Sequence, residues 1–573
     1  MSPGANMLAS GFGAADWAIV GLYLLVLLVS GWWFARREPS GAREYFLAGR
    51  RMPAWAVAFS IIASSLSVAT FLGAPQIAYG GNLAYLSANI GNLIAVGVVA
   101  AFFIPAFYRH DVTTIYELLE IRFGPGAKQG ASAAFMLGRV FASGARVYIA
   151  AIPLAMILFG PEASTNPAYL IAAIVALCLA GVLYTLVGGI ASVIWTDVIQ
   201  TVVLVGSAAA GLALLIWRVP ASAGEIWAAL STGGPGGASK LTVFSPGIDP
   251  SASGWGFDPA ASFTVLTAVL GWSLLNMAAY GTDHDLAQRM LTCRSAVKGS
   301  RSAVAAIVLS IPIVLLFSAI GLMLWVFYQR PDLMGAGAPG YPPTDSDRVF
   351  LTFILREMPP GLSGLMVAGL FAVALGSLNS AVNAMAATSV RDFYTHLRPG
   401  QSDRHYLLAG RWAVAGWGVV MGAFATMCIW WRGSTGLIEF ALGVMTFAHS
   451  GLLAVFLCAL FTRRGTTASV LAALVTGFVC VLAFQPPVWL GLGSLWPGLL
   501  PACGVEGAVA AGTPGGAGST SGAGAVGGAH TVASLKAAWP WLAWASPWQM
   551  LLATGLALAV CVLPGGGRRT LRA

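Results

Sequence analysis

Charge is what this chain has little of. Only 9% of its 573 residues are Asp, Glu, Lys or Arg, against about 25% in an ordinary soluble domain. A water-facing exterior cannot be built from so few, and a mean hydropathy of +0.79 makes lipid the medium around most of the surface. Cysteine is scarce too. There are seven, mostly inside apolar runs (Cys178, Cys428, Cys458, Cys480, Cys561); their odd number and scatter give neither a disulfide framework nor metal-ligand spacing. No nucleophile–base arrangement, phosphate-binding glycine loop or ATPase motif occurs. Any solute movement must therefore draw on an ion gradient or be passive. The alternating ten-residue segments of a membrane barrel are also missing, which leaves helices as the spanning form.

Long apolar runs are abundant. A hydrocarbon layer about 30 Å thick needs roughly 20 apolar residues per helix, and about thirteen such runs lie near 15–35, 54–79, 83–108, 133–159, 168–188, 191–217, 262–282, 303–328, 362–390, 407–431, 436–461, 466–485 and 547–565. The first is not a cleaved signal peptide: no basic residue precedes it, it is too long for a signal core, and Arg36-Arg37 follow it. With the N-terminus outside, 21 of the 30 basic residues fall on inner segments, among them Arg36, Arg109, Arg289, Arg391, Arg463 and Arg568. The positive-inside rule then gives N-out, C-in. The net charge of +9 is thereby explained without a nucleic-acid partner.

The expected organisation is an outer tail and first helix (1–40), a five-helix repeat (41–232), a second, inverted five-helix repeat (233–465), and two trailing helices (466–573). The trailing pair flanks an outer loop at about 486–546 whose Gly/Ala/Ser-rich stretch, Gly504 to Gly528, reads as a linker. Short helices are expected around Thr113–Arg122, with Ile115, Leu118, Leu119 and Ile121 as the apolar residues, and around Asp345–Met358.

Two spans look unlike plain lipid-facing helices. The second carries five hydroxyls between Phe59 and Pro75, then Gly73 and Pro75; the seventh, Leu274 to Asp285, is polar where a span should be apolar. They lie five spans apart and start from opposite sides of the membrane. Gly/Pro-interrupted helices at matching positions of two inverted repeats point to a binding site near the bilayer midplane, because unwinding frees carbonyls and amides for an ion or polar solute.

Ionisable residues inside spans are expensive and need partners. Arg146 lies about 20 Å into the fourth span at 1.5 Å per residue. It is either a fork for a substrate carboxylate or an arginine satisfied by carbonyls of neighbouring helices. Arg139, shallower, is expected to snorkel inwards. Asp197, on the inner third of the sixth span, reads as an ion-pathway residue or as the structural partner of Arg139 or a helix end. Ser377, Ser380 and Asn383 form one helical stripe that marks either tight packing or an ion site. Asp283-His284-Asp285 has metal-capable chemistry, but at a helix end it reads as capping and surface pairing.

Four blocks resemble the sodium:solute symporter family, whose members include sodium-coupled carriers of sugars, proline, sialic acid, pantothenate and monocarboxylates. They are Glu44-Tyr-Phe-Leu-Ala-Gly-Arg50 with Pro53-Ala-Trp55; Ala63-Ser-Ser-Leu-Ser67 with Phe71-Leu-Gly73; Tyr184 through Trp195-Thr-Asp-Val-Ile-Gln200; and Leu375-Gly-Ser-Leu-Asn-Ser380 leading to Asp392-Phe-Tyr394. Gln288-Arg289 adds a smaller fifth. The resemblance implies an all-α, LeuT-type bundle of five-plus-five inverted helices, with one helix before and two after. It also implies sodium-coupled symport by alternating access, with protons as an alternative coupling ion and no other cofactor.

By the same resemblance, sodium is held by backbone carbonyls of Ala63, Leu66 and Val373 and by the Ser377 hydroxyl, with Ser380 and Asp197 on the ion path. Where the family often has two adjacent hydroxyl residues, this chain has Gly376-Ser377, so one ligand is missing. A hard cation needs a full oxygen shell; the site must borrow an oxygen, bind sodium more weakly, or use protons. Ser67, Thr70, Arg146 and Asn276 are the substrate-site residues. Thr70, Ala279 and Ser310 replace the glutamine, inner-gate tyrosine and lysine of the sugar carriers, so a hexose is disfavoured. The four suit a small carboxylate, sialic acid or amino acid.

Three other classes compete. A sensor on this scaffold would want a long cytoplasmic output domain, and about nine residues follow the last run. A membrane-embedded transferase would want acidic pairs or metal ligands, for which Asp283 and Asp285 are the best offer. A channel is at odds with an inverted repeat. The high Ala/Gly content and short tails suggest a bacterial inner membrane.

Overall fold

The computed structural model describes residues 12–35, 47–185, 190–247, 258–337, 339, 348–431, 437–485, 488–489 and 539–563. The Gly504–Gly528 stretch, nearly all of the 486–538 segment and the Glu44-to-Phe46 part of the first family block lie outside them. Among the described residues there is helix and no strand. Apolar backbone in lipid must satisfy its own hydrogen bonds, and helix does so within one segment.

The bundle helices are α1 (Ala14–Ala35), α2 (Ala54–Ser65), α3 (Val68–Gly80), α4 (Leu83–Arg109), α5 (Pro125–Phe159), α6 (Pro167–Thr185), α7 (Ile190–Arg218), α8 (Val265–Gly281), α9 (His284–Leu291), α10 (Ala296–Gln329), α11 (Leu362–Leu397), α12 (Asp403–Trp431), α13 (Leu437–Phe461), α14 (Thr467–Ala483) and α15 (Ser546–Val562). Among the described residues, seven are unbroken and long and apolar enough to cross a bilayer. Two more spans form if α2–α3 and α8–α9 are each one bent helix, the bends being 66° and 58°. Parts of α1 and α6 and the whole of α14 and α15 are shorter apolar helices. All but α9, which lies between the runs at 262–282 and 303–328, fall on the runs read from the sequence.

Burial sorts the bundle. α11 and α5 bury 94% and 89% of their most apolar window, whereas α12 buries 33% and α7 39%. The exposed face of α12 carries Trp412, Val419 and Trp430, the surface that lipid rewards. α11 therefore forms the axis, with α7, α1, α5 and α12 packed along it. The bent pair α2–α3 lies against α10 and α7, and α8 lies against α4. That last crossing is close because residue 91 is glycine: a Cβ there would sit 2.7 Å from Trp272 Cβ and 2.8 Å from Ser273 N.

Loop hydrogen bonds tie each end of the bundle together. At one end Arg122 donates to the carbonyls of Thr462 and Arg464 at 3.3 and 3.2 Å, and Met52 N to Thr292 O at 3.1 Å. At the other, Ala545 N donates to Pro259 O at 2.8 Å, and the Asp16 carboxylate accepts from the amides of Gly361 and Gly364 at 2.7 and 2.8 Å.

Three expectations shift. α5 starts at Pro125, about eight residues early, because Lys128, polar in the sequence, is buried as the partner of Glu120 (2.9 Å) and Asp392 (3.4 Å). The helix expected around 113–122 runs Glu117–Phe123; Leu118 and Leu119 are buried but Ile121 is 45% exposed, off the packed side. The loop helix expected over Asp345–Met358 spans Val349–Arg356, with 345–347 outside the described residues.

Candidate functional site

Helix α2 stops at Ser65 because Leu66 and Ser67 are extended (φ −73°, ψ 137°; φ −131°, ψ 169°), and α3 restarts at Val68. A helix end leaves four carbonyls and a helix start four amides without intrahelical partners. The α8–α9 break repeats this: Asp283 is extended (φ −91°, ψ 117°), and its carboxylate caps α9 by accepting from Asp285 N at 3.0 Å. Both breaks face one cavity of about 130 Å³, lined by Ser64 to Ser67 and Thr70 from the first and Asn276, Tyr280 and Asp283 from the second.

Arg146 of α5 lines the same cavity. It is 8% exposed, its Nη2 lies 3.4 Å from Met445 Sδ, and its Nε has no hydrogen-bond partner among the described residues. No carboxylate of the described residues forms an ion pair with it. The four residues expected to bind substrate, Ser67, Thr70, Arg146 and Asn276, thus meet at one cavity. Sequence reasoning missed Asn89 and Asn92, whose amides join at 3.3 Å on its wall. Two asparagines at i, i+3 in an apolar span were the available signal. Tyr85 and Tyr280 also line it and carried no such signal.

Beside the cavity lies a buried ion network. Arg289 of α9 is 0% exposed. It donates from Nε to Ser60 Oγ at 2.8 Å, from Nη1 to Asp285 Oδ1 at 2.5 Å, and from Nη2 to Asp197 Oδ2 at 3.2 Å and to Ser380 Oγ. Ser60 in turn donates to Asp197 Oδ2 at 2.5 Å, and Ser380 to Asp285 Oδ1 at 2.8 Å. Arg139 pairs with Asp285 and, at 3.3 Å, with Asp283, whose Oδ2 is 3.4 Å from His449 Nε2. One network joins α2, α5, α7, α9, α11 and α13.

This network alters three sequence readings. Asp283 caps a helix as expected, but Asp283, His284 and Asp285 are buried at 3%, 1% and 2%, and the two carboxylates pair inside the bundle. Arg139 is buried there and does not snorkel. The partner of Asp197 is Arg289, not Arg139. Among the described residues no group of three His, Cys, Asp or Glu could hold a metal ion.

Of the residues expected on the ion path, Ser380 and Asp197 meet through Arg289, and a Ser64–Ser380 contact of 3.2 Å ties the first break to α11. Ser377 donates to Ala374 O at 3.2 Å, which leaves lone pairs on its oxygen. Leu66 alone of the ion set also lines the cavity. Ala63 and Val373 are buried, at the end of α2 and the middle of α11.

The sodium:solute symporter family model matches residues 45–477. The chain belongs to that family. It is a multi-pass membrane transporter, 29% identical over 485 residues to the sodium/sialic acid symporter SiaT of Proteus mirabilis, covering 82% of this chain and 90% of that one. It is 27% identical over 492 residues to the human sodium/iodide cotransporter, covering 85% and 71%. A solved Na+-coupled sialic acid symporter, substrate-bound and outward-open, superposes with a TM-score of 0.66 at 26% identity over 85% of this chain and 93% of its own. The family member thus shares its LeuT-like bundle with a sodium-coupled carrier.

Proposed function

We propose that this transporter couples sodium entry to uptake of a small organic anion bearing one carboxylate, such as a sialic acid or a hydroxylated monocarboxylate, by alternating access. The observation that carries this reading is the Arg146 guanidinium, which reaches the cavity with no carboxylate of its own. Burying a cation unpaired is costly, and an incoming carboxylate supplies the missing charge with bidentate geometry. A neutral hexose does not. Asp283, on the same cavity, is held by Arg139 at 3.3 Å. The hydroxyls of Ser67 and Thr70 and the amides of Asn89, Asn92 and Asn276 suit hydroxyl or amide groups on the solute. The two named relatives carry sialic acid and iodide, both anions.

Sodium would sit where the first break meets α11, on carbonyls of Ala63, Leu66 and Val373 and the hydroxyl of Ser377. The division into repeats at 41–232 and 233–465 and the N-out, C-in orientation belong to the same reading, as does a bacterial inner membrane. The test is uptake into proteoliposomes of a carboxylate, amino-acid and sugar panel, driven by sodium or by proton gradients. A monocarboxylate should accumulate only with sodium directed inwards. Arg146→Ala should cut that uptake by about 100-fold or more, the loss expected when a charged partner is removed at about 3 kcal/mol. Undiminished uptake by Arg146→Ala would remove the carboxylate assignment.

A further inference from the structure

Gln200 lies one helical turn beyond Asp197 on α7. Its side chain is 2% exposed, and among the described residues neither its Oε1 nor its Nε2 has a hydrogen-bond partner. Buried amides in folded proteins are nearly always paired, so one left open on both atoms wants a reason. Its oxygen is aimed at Gly376 of α11: a Cβ built on that glycine would overlap Gln200 Oε1 and lie 3.7 Å from Asp197 Oδ1. Position 376 is where the family resemblance leads one to expect a hydroxyl. In this chain the space such a side chain would enter is filled, from the facing helix, by an amide oxygen.

We propose that Gln200 Oε1 is a ligand of the coupling cation, supplying across the α7–α11 seam the oxygen that Gly376 does not. The inference rests on the sodium site proposed above and names a member of it. An amide carbonyl is a good donor to a hard cation, and it needs no proton to leave. Asp197 supports the placement. Its Oδ2 is occupied by Ser60 and Arg289, whereas its Oδ1 turns towards the same point at Gly376. Asp197 and Gln200, at i and i+3, therefore present two oxygens side by side. Asn379 of α11, whose Oδ1 also has no partner among the described residues, is turned away: that oxygen lies 3.2 Å from where a Cβ on Gly181 of α6 would stand. Space-filling alone accounts for glycine at 376, but not for a buried amide left without partners.

The experiment is equilibrium binding of radioactive sodium (22Na+) to the purified full-length protein, which requires no knowledge of the solute. Gln200→Ala should weaken sodium binding by about ten- to a hundredfold, the range seen when groups around a metal are removed. Gly376→Ser alone should also weaken it, because the new side chain collides with Gln200. The double variant Gln200→Ala/Gly376→Ser should recover most of the loss, since the serine hydroxyl then has room and takes the vacated place. Thermal unfolding in sodium-free choline buffer reports whether each variant folds. If Gln200→Ala does not fold, Gln200→Asn keeps the amide, withdraws its oxygen by one methylene, and should weaken binding in the same direction. Wild-type affinity in the alanine or asparagine variant, or a double variant no better than the single one, overturns the inference alone. A wild-type protein that binds no sodium overturns the sodium-site reading and this inference together.

Discussion

Arg289 holds two carboxylates and two hydroxyls with one guanidinium. Its planar fork presents five donors in fixed directions, which a lysine ammonium cannot copy. Removing one member of a buried ion pair leaves the other unpaired, at about 3–5 kcal/mol. Arg289→Ala should therefore lower stability by that amount, measured by thermal unfolding in detergent, and Arg289→Lys should recover only a small part. The variant Arg289→Gln/Asp197→Asn should fall less than the alanine variant does, because Asp197 is neutralised and Asp285 keeps Arg139. Arg146 is the opposite case. It makes no ion pair among the described residues, so its alanine variant should lose transport before it loses stability. The sequence marked both arginines, but only Arg146 as functional. Nothing in the order of residues places Asp197, 92 positions away, beside Arg289; the i, i+4 pairing of Asp285 with Arg289 was the one local clue.

At the scale of elements, the two breaks were legible because their cause is local. Serines flank the first, and Gly281, Thr282 and Asp283 make the second, side chains that offer the backbone partners other than its own helix; Gly73 and Pro75, which the sequence also offered as an interruption, lie inside the unbroken α3. What local signals could not give is how closely the broken helices approach their neighbours. α4 crosses the helix that precedes the second break at Gly91, and the hypothetical Cβ at 2.7 Å from Trp272 meets rigid helix, not a flexible tip. Overpacking a tight seam costs about 1–3 kcal/mol. Gly91→Val should show that loss in thermal unfolding and should slow transport further by stiffening α8 next to its bend. The extension of α5 to Pro125 was hidden for the same reason: Lys128 looks like a loop residue until Glu120 and Asp392 are seen around it.

For the molecule as a whole, one lysine ties a long connection to the first bent helix. Lys240, between α7 and α8, is buried, with Nζ donating to the carbonyls of Tyr79 and Gly81 at 2.9 and 2.7 Å and lying 5.0 Å from the Trp325 ring centre. Burial pushes its amine down to about 8, from about 10.4 in an unfolded chain. Between those values the unfolded state binds more protons than the folded state, so stability rises with pH. Wild-type protein should gain thermal stability as pH rises from about 8 towards 10, and Lys240→Met should lose that slope while starting lower for want of two hydrogen bonds. A slope unchanged in the methionine variant would show that another group titrates there.

The sequence by itself determined the medium, the all-helical class, the two interrupted spans and the family. These follow from hydropathy, local backbone preference and short motifs, all of which act over fewer than about 20 residues. Tertiary structure alone decided that Ser67, Thr70, Arg146 and Asn276 share one cavity, that Arg289 and not Arg139 answers Asp197, and that Gln200 faces Gly376. Each of those is a meeting of side chains from helices far apart in the chain. Charge and hydrogen bonding select partners by distance in space, and one dimension does not carry it.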